Sequence, residues 1–158
     1  MKKLIILILI VFALGWLSNT AYGINFPSSP SIFTSKELIS PSDRITEDDI
    51  SIFDDYIIIN IQNATWARYA DSNSMDPLLD YGANGIEIVP ESTDDIHVGD
   101  IVIFEPFWSS NLIVHRVTQI GEDEDGWYCI TKGDNSNITD PGKLRYEQIE
   151  FILVGILY

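Results

Sequence analysis

The apolar positions divide the chain into an uncharged opening, a polar middle and a series of short strand-like runs. After Met1-Lys2-Lys3, residues 4–17 carry no charge, and Ser18, Asn19 and Thr20 extend the neutral stretch to Gly23. Taken to Ala21 the stretch is 18 residues, just enough for a helix to span a bilayer with Lys2 and Lys3 on the cytoplasmic side. The short basic start, the apolar run and the small residues of Ala21-Tyr22-Gly23 fit a cleavable signal peptide equally well. Either way residues 24–158 lie outside the cytoplasm. Residues 24–50 hold Pro27, Pro30 and Pro41 among serines and threonines, the composition of an extended stalk or linker. Thr46-Glu47-Asp48-Asp49 suits one capped helical turn and nothing longer.

From residue 51 to 158 the period changes to that of strands. Tyr56-Ile57-Ile58-Ile59-Asn60-Ile61, Ile86-Glu87-Ile88-Val89 and Ile101-Val102-Ile103-Phe104 are β-branched runs. Residues 112–120 alternate from Val114, placing Val114, Arg116 and Thr118 on one side of the pleat. Trp127-Tyr128-Cys129-Ile130-Thr131 follows across a turn in which Asp125-Gly126 suits a hairpin. Residues 149–158 are a last apolar run, fit for a buried strand and too short to cross a bilayer as a helix. No sustained 3.6-residue period occurs after residue 23, so the expectation is a mainly β domain preceded by one N-terminal hydrophobic helix.

Charge narrows the function classes. The chain carries 24 acids against 9 bases, a net charge of −15. A surface of that sign repels phosphate backbones, which excludes nucleic acid as a partner. Cys129 is the single cysteine, so there is no internal disulfide and no cysteine-built zinc site. With only His97 and His115, a three-histidine metal centre is impossible too. Glu122-Asp123-Glu124-Asp125 lacks the ligand alternation of a calcium loop and is taken as a solvated hairpin tip. No metal or other cofactor is expected.

Three polar islands between strands carry candidate chemistry. Asp71-Ser72-Asn73-Ser74-Met75-Asp76-Pro77 is a turn by composition, and it also offers two hydroxyls. A serine hydroxyl becomes a useful nucleophile only beside a base that titrates near neutrality, and His115 in its apolar strand is of that type. Lys132-Gly133-Asp134-Asn135-Ser136-Asn137-Ile138-Thr139-Asp140-Pro141-Gly142 then places two aspartates in one loop, either able to orient an imidazole. Each island alone also reads as an ordinary turn or a half-buried strand histidine.

Together they resemble a known family. Ser72-Asn73-Ser74-Met75-Asp76-Pro77, Val98-Gly99-Asp100-Ile101-Val102, Val114-His115-Arg116-Val117 and Thr131-Lys132-Gly133-Asp134-Asn135 with Asp140 are similar, in order and spacing, to the successive boxes of type I signal peptidases. The likeness is to the archaeal and endoplasmic-reticulum branch, in which a histidine stands where bacterial enzymes have a catalytic lysine. It covers residues 70–158. The resemblance implies a β-rich fold of coiled sheets, no cofactor, and a membrane-associated serine endopeptidase acting on signal peptides of secretory precursors. Ser74 would be the nucleophile and His115 the general base. Asp140 would complete the site, with Asp134 as a second, supporting acid. The Ser72 hydroxyl would help the Ser74 backbone N–H hold the oxyanion. Small residues would be favoured at the first and third positions before the scissile bond. The family's N-terminal anchor favours the membrane-spanning reading of residues 1–23: a single-pass protein in contact with lipid, its catalytic domain extracytoplasmic.

The chain departs from the pattern between Pro77 and Gly99, where it inserts residues 80–86 and an extra strand beside the expected substrate edge. Lys132 is a rival base, as in serine–lysine pairs. A catalytically inactive exported binding module of the same fold is the alternative function. A self-cleaving regulator is disfavoured by the membrane signal at the N-terminus. Asn63-Ala64-Thr65 and Asn137-Ile138-Thr139 are glycosylation sequons usable only on the outer side.

Overall fold

Strands form where β-branched and aromatic residues cluster between turn residues. The computed structural model, which describes residues 37–158, has β1 (Ile50–Ile52), β2 (Ile57–Ile59), β3 (Ala64–Arg68), β4 (Asn84–Ile88), β5 (Ile101–Phe104), β6 (Ile113–Asp123), β7 (Gly126–Lys132) and β8 (Ile149–Leu157). Helix among these residues is limited to three single turns of 3-10 type at Glu47–Asp49, Thr93–Asp95 and Tyr146–Gln148. The first is the turn expected after Thr46, whose backbone N–H and hydroxyl both donate to the Asp49 carboxylate. The protein is mainly β. The expected hydrophobic helix at residues 1–23 and residues 24–36 of the expected stalk lie outside the described residues.

Strands β3 to β8 form one antiparallel sheet in the order β3-β4-β8-β5-β6-β7. The last strand therefore lies near the middle, with Ile152 opposite both Ile88 and Val102. Every residue of β5 is buried. Val102 and Phe104 pack with Val117, Cys129 and Ile152 in one apolar cluster, while Ile101 and Ile103 pack with Met75, Leu79 and Leu153 in another. A continuous apolar run is what a strand covered on both faces requires. Each such side chain contributes about 1.5–3 kcal/mol relative to leaving it in water. Burial pushes the Cys129 thiol up to about 12, which makes it a core residue and not a reactive one.

Two local details differ from the period-2 reading. The β6–β7 register shifts between Val117 and Gln119, so Arg116 and Val117 are consecutive buried residues and the expected alternation through Thr118 is broken. A bulge adds one residue to one strand, and periodicity alone does not mark its place. The hairpin closes with Asp123 opposite Gly126, so the turn is Glu124-Asp125 with Gly126 following at φ +97°. Its tip is not simply solvated. Asp123 pairs with Lys143 and with Arg145, the latter at 2.9 Å.

Strands β1 and β2 form a separate hairpin with every residue exposed and Phe53 stacked on Tyr56. The segment before it is tied to the sheet. Residues from Leu38 onward belong to the same unit as the strands, and Asp100 accepts hydrogen bonds from the Ser42 and His97 backbone and from Arg44. Gly99 takes φ +105°, and a side chain there would collide with the Ser40 carbonyl, so the Gly99-Asp100 pair joins this segment to the start of β5.

Candidate active site

The loop from Asp71 to Pro77 is fixed from below by its apolar residues. Met75 and Leu79 are buried against Ile101 and Ile103. Asn73 adopts φ +57°, a conformation that asparagine tolerates better than most residues, and so turns the chain sharply just before Ser74. Ser72 Oγ lies 3.2 Å from Ser74 Oγ.

His115 lies one residue beyond the last β6–β7 pair, Arg116 with Lys132. At that point β7 gives way to the Gly133 turn. A methyl group placed on Gly133 would lie 2.5 Å from the Ser74 carbonyl oxygen and 3.0 Å from His115 Nε2. The absent side chain thus lets the serine loop and the imidazole close around one backbone position. The Asn135 N–H donates to the Ser74 carbonyl at 3.0 Å, and the Asn135 side-chain amide donates to the Asn73 carbonyl at 2.9 Å. The 133–135 turn therefore clamps the serine loop directly.

The other imidazole nitrogen is taken by Asp140. His115 Nδ1 is 2.6 Å from Asp140 Oδ2, which also accepts the Thr131 hydroxyl at 2.7 Å, and the Asp140 N–H donates to the Thr131 carbonyl. Burial disfavours the charged form of Asp140. The hydrogen bonds from His115 and Thr131, with the nearby His115 and Lys132 charges, outweigh burial and hold the carboxyl below the ordinary carboxylate range. A carboxylate on Nδ1 fixes the tautomer that leaves Nε2 free to accept a proton.

Asp134 lies in the same loop and does a different job. Both its oxygens accept from the Arg116 guanidinium, at 2.8 and 2.6 Å. Arg116 also donates to the carbonyls of Gly99 and Ile39. This buried pair ties the loop to the strand beside His115 and to the Gly99-Asp100 turn. The Lys132 ammonium is buried and donates to the carbonyls of Gly133 and Ser136, capping the inside of the loop. Arg116, Thr131 and Gly133 thus hold the arrangement together, although only their place beside His115, Asp134 and Asp140 in the sequence hints at it.

Ser74 and His115 share a cavity of about 540 Å³, walled on one side by residues 67–70 and on the other by residues 112–115. That volume is within the range of small-ligand sites. A second, more open cavity of about 570 Å³, lined by residues 105–110 and Gln148, holds none of the candidate residues. Among the described residues no cluster of histidine, cysteine and carboxylates is arranged to hold a metal. No helix among them is long and apolar enough to cross a membrane.

Over 46 residues the chain is 54% identical to the signal peptidase complex catalytic subunit sec11 of Dictyostelium discoideum, covering 28% of this chain and 26% of that protein. Over 66 residues it is 35% identical to the signal peptidase complex catalytic subunit sec11 of Schizosaccharomyces pombe, covering 39% of this chain and 35% of that protein. The chain thus spans about a quarter to a third of the length of these relatives. No protein-family model matches it, and no solved structure matches it significantly. Over these segments the chain is similar to signal peptidase complex catalytic subunits.

Proposed function

We propose that the protein is a serine endopeptidase that removes signal peptides from secretory precursors at a membrane surface. The observation that carries this reading is the placement of His115: Nδ1 held by Asp140 at 2.6 Å, and Nε2 facing the Gly133 turn that clamps the Ser74 loop. A peptide lies in the shared cavity as an extended chain between residues 67–70 and 112–115. Ser74 Oγ attacks the scissile carbonyl while its proton passes to His115 Nε2, and Asp140 stabilises the imidazolium that forms. The oxyanion is met by the Ser74 backbone N–H and the Ser72 hydroxyl. The imidazolium then protonates the leaving amine as the C–N bond breaks, giving an acyl-enzyme. Water attacks the acyl carbon with His115 again accepting a proton, which returns to Ser74 Oγ as the product acid leaves. Asp134 acts through Arg116 as a positioning residue.

In this reading the fold is that of the signal peptidases, with coiled sheets that carry the site at one end. Residues 1–23 anchor the chain as a single span with the catalytic domain extracytoplasmic, next to lipid and to emerging precursors. Incubating the chain in detergent with a precursor carrying an Ala-x-Ala cleavage site tests this. Cleavage is expected, and Ser74→Ala and His115→Ala should each abolish it with the fold intact. A Ser74→Ala protein that still cleaves ends the assignment. A folded wild-type protein that neither cleaves nor reacts with a serine-directed probe is a binding module instead.

A further inference from the structure

One carboxyl in the cavity takes no part in this chemistry. Glu87 lies on β4, in the segment where the chain departs from the family pattern, and lines the same cavity as Ser74 and His115. It is only 3% exposed, and the single hydrogen-bond partner of its carboxyl among the described residues is Tyr69, whose hydroxyl donates to Oε1 at 2.7 Å. The Tyr69 hydroxyl reaches it by crossing Gly85, where any Cβ would lie 2.1 Å away. Gly85 and Glu87 are the two buried positions of β4, so the strand supplies both the gap and the acceptor. Burial raises the Glu87 carboxyl above its ordinary value, with the Tyr69 hydrogen bond offsetting part of the effect. Tyr69 is raised strongly by burial and by Glu87, which keeps it a neutral donor.

This leaves Oε2 with an unused acceptor beside otherwise largely apolar walls. A peptide whose side chain there is purely apolar would cover that oxygen and leave it unpaired, at a cost of about 1–3 kcal/mol. An acidic side chain would be repelled. A cationic one would meet Arg68, which lines the same cavity. A neutral hydroxyl satisfies Oε2 without either conflict. We propose that Glu87 is a specificity-determining residue, accepting a hydrogen bond from a serine or threonine side chain of the bound peptide. The proposal rests on the peptidase reading of the site for its substrate class.

The test uses one peptide sequence carrying the isosteric pair Thr or Val at each of the three positions before the scissile bond. Each is measured as kcat/KM on the wild-type chain and as Kd on the Ser74→Ala chain. At one position Thr should exceed Val by about tenfold to a hundredfold in both, the worth of one hydrogen bond to a charged acceptor. Tyr69→Phe/Glu87→Met, which leaves neither partner unpaired, should bring Thr and Val within about twofold, since the hydrogen bond that separates them is gone. Should that variant not fold, Glu87→Gln, which keeps a carbonyl acceptor but loses the charge, should shrink the preference without erasing it. Equal values for Thr and Val on the wild-type chain overturn the proposal. So does a preference that survives the double variant, or a lysine peptide preferred to threonine. Any of these leaves cleavage itself, and so the peptidase reading, untouched. Conversely, Thr-over-Val binding that depends on Glu87 in a chain that cleaves nothing would uphold the specificity and remove the peptidase.

Discussion

Gly133 is where the two halves of the site meet, with the Ser74 carbonyl on one side and His115 Nε2 on the other. Adding one methyl group there must push one of them away. A displacement of about 1 Å at a reacting group costs on the order of a hundredfold in rate. Gly133→Ala should therefore lower kcat about a hundredfold or more with little change in melting temperature, read by kinetics beside thermal denaturation. The two aspartates should separate in the same experiment. Asp140→Asn leaves the wrong partner on His115 Nδ1, and by analogy with other serine–histidine–aspartate sites it should cut kcat by roughly 10⁴ while sparing the fold. Asp134→Asn breaks the buried pair with Arg116, whose side chains are 4% and 7% exposed. It should cost about 3–5 kcal/mol of stability, visible as a shift in the denaturant midpoint. Comparable, small effects of both substitutions would defeat this division of labour.

At the scale of elements, the loops are held by ionised carboxylates at the strand ends. Burial opposes the charge on Asp100, yet hydrogen bonds from Ser42, His97 and Arg44 prevail and hold the carboxyl below the ordinary range, as happens at Asp140. A carboxyl lowered in the folded state contributes stability that is present above its unfolded value, about 3.9. That stability is lost as pH falls through the folded value. Glu87 has the opposite sign: its raised value means that stability is lost as pH rises from the unfolded value through the folded one. Melting temperature should fall as pH drops below about 4. Asp100→Asn, which cannot ionise, should melt lower at neutral pH and lose less on acidification. A wild-type curve flat from pH 6 to pH 3, read by circular dichroism at about those values, would contradict the linkage. The same elements show what sequence can convey. Strand β5 was legible because both its faces are buried, so Ile101, Val102, Ile103 and Phe104 leave no polar position to confuse the period. Strands β1 and β3 were not, because β1 buries nothing and β3 only part of Ala67, so tertiary pairing outweighs any local pattern. The Ser74, His115 and Asp140 segments stood out by order along the chain. Their clamps through Gly133, Asn135 and Arg116 join residues distant in sequence, and no spacing rule reports such contacts.

For the molecule as a whole, acids far outnumber bases, and most of the bases in the described region are already engaged. Arg44, Arg116, Lys143 and Arg145 each pair with an aspartate, and Lys132 is enclosed by carbonyls. The remaining carboxylates repel one another across the surface. Salt shortens the reach of that repulsion from about 30 Å at 0.01 M to about 8 Å at 0.15 M. The melting temperature should rise over that range, and a fall would show that the ion pairs outweigh the repulsion. The contact between the Asn135 N–H and the Ser74 carbonyl has a consequence of its own. It lies outside the sheet ladder, so its opening does not require any strand to separate. Exchange of this one amide proton with deuterium then becomes a clock for the serine loop alone. Under native conditions it should run faster than the amides of β5, and its rate would measure how often the resting protein takes itself apart at Ser74 while the sheet behind it stays shut.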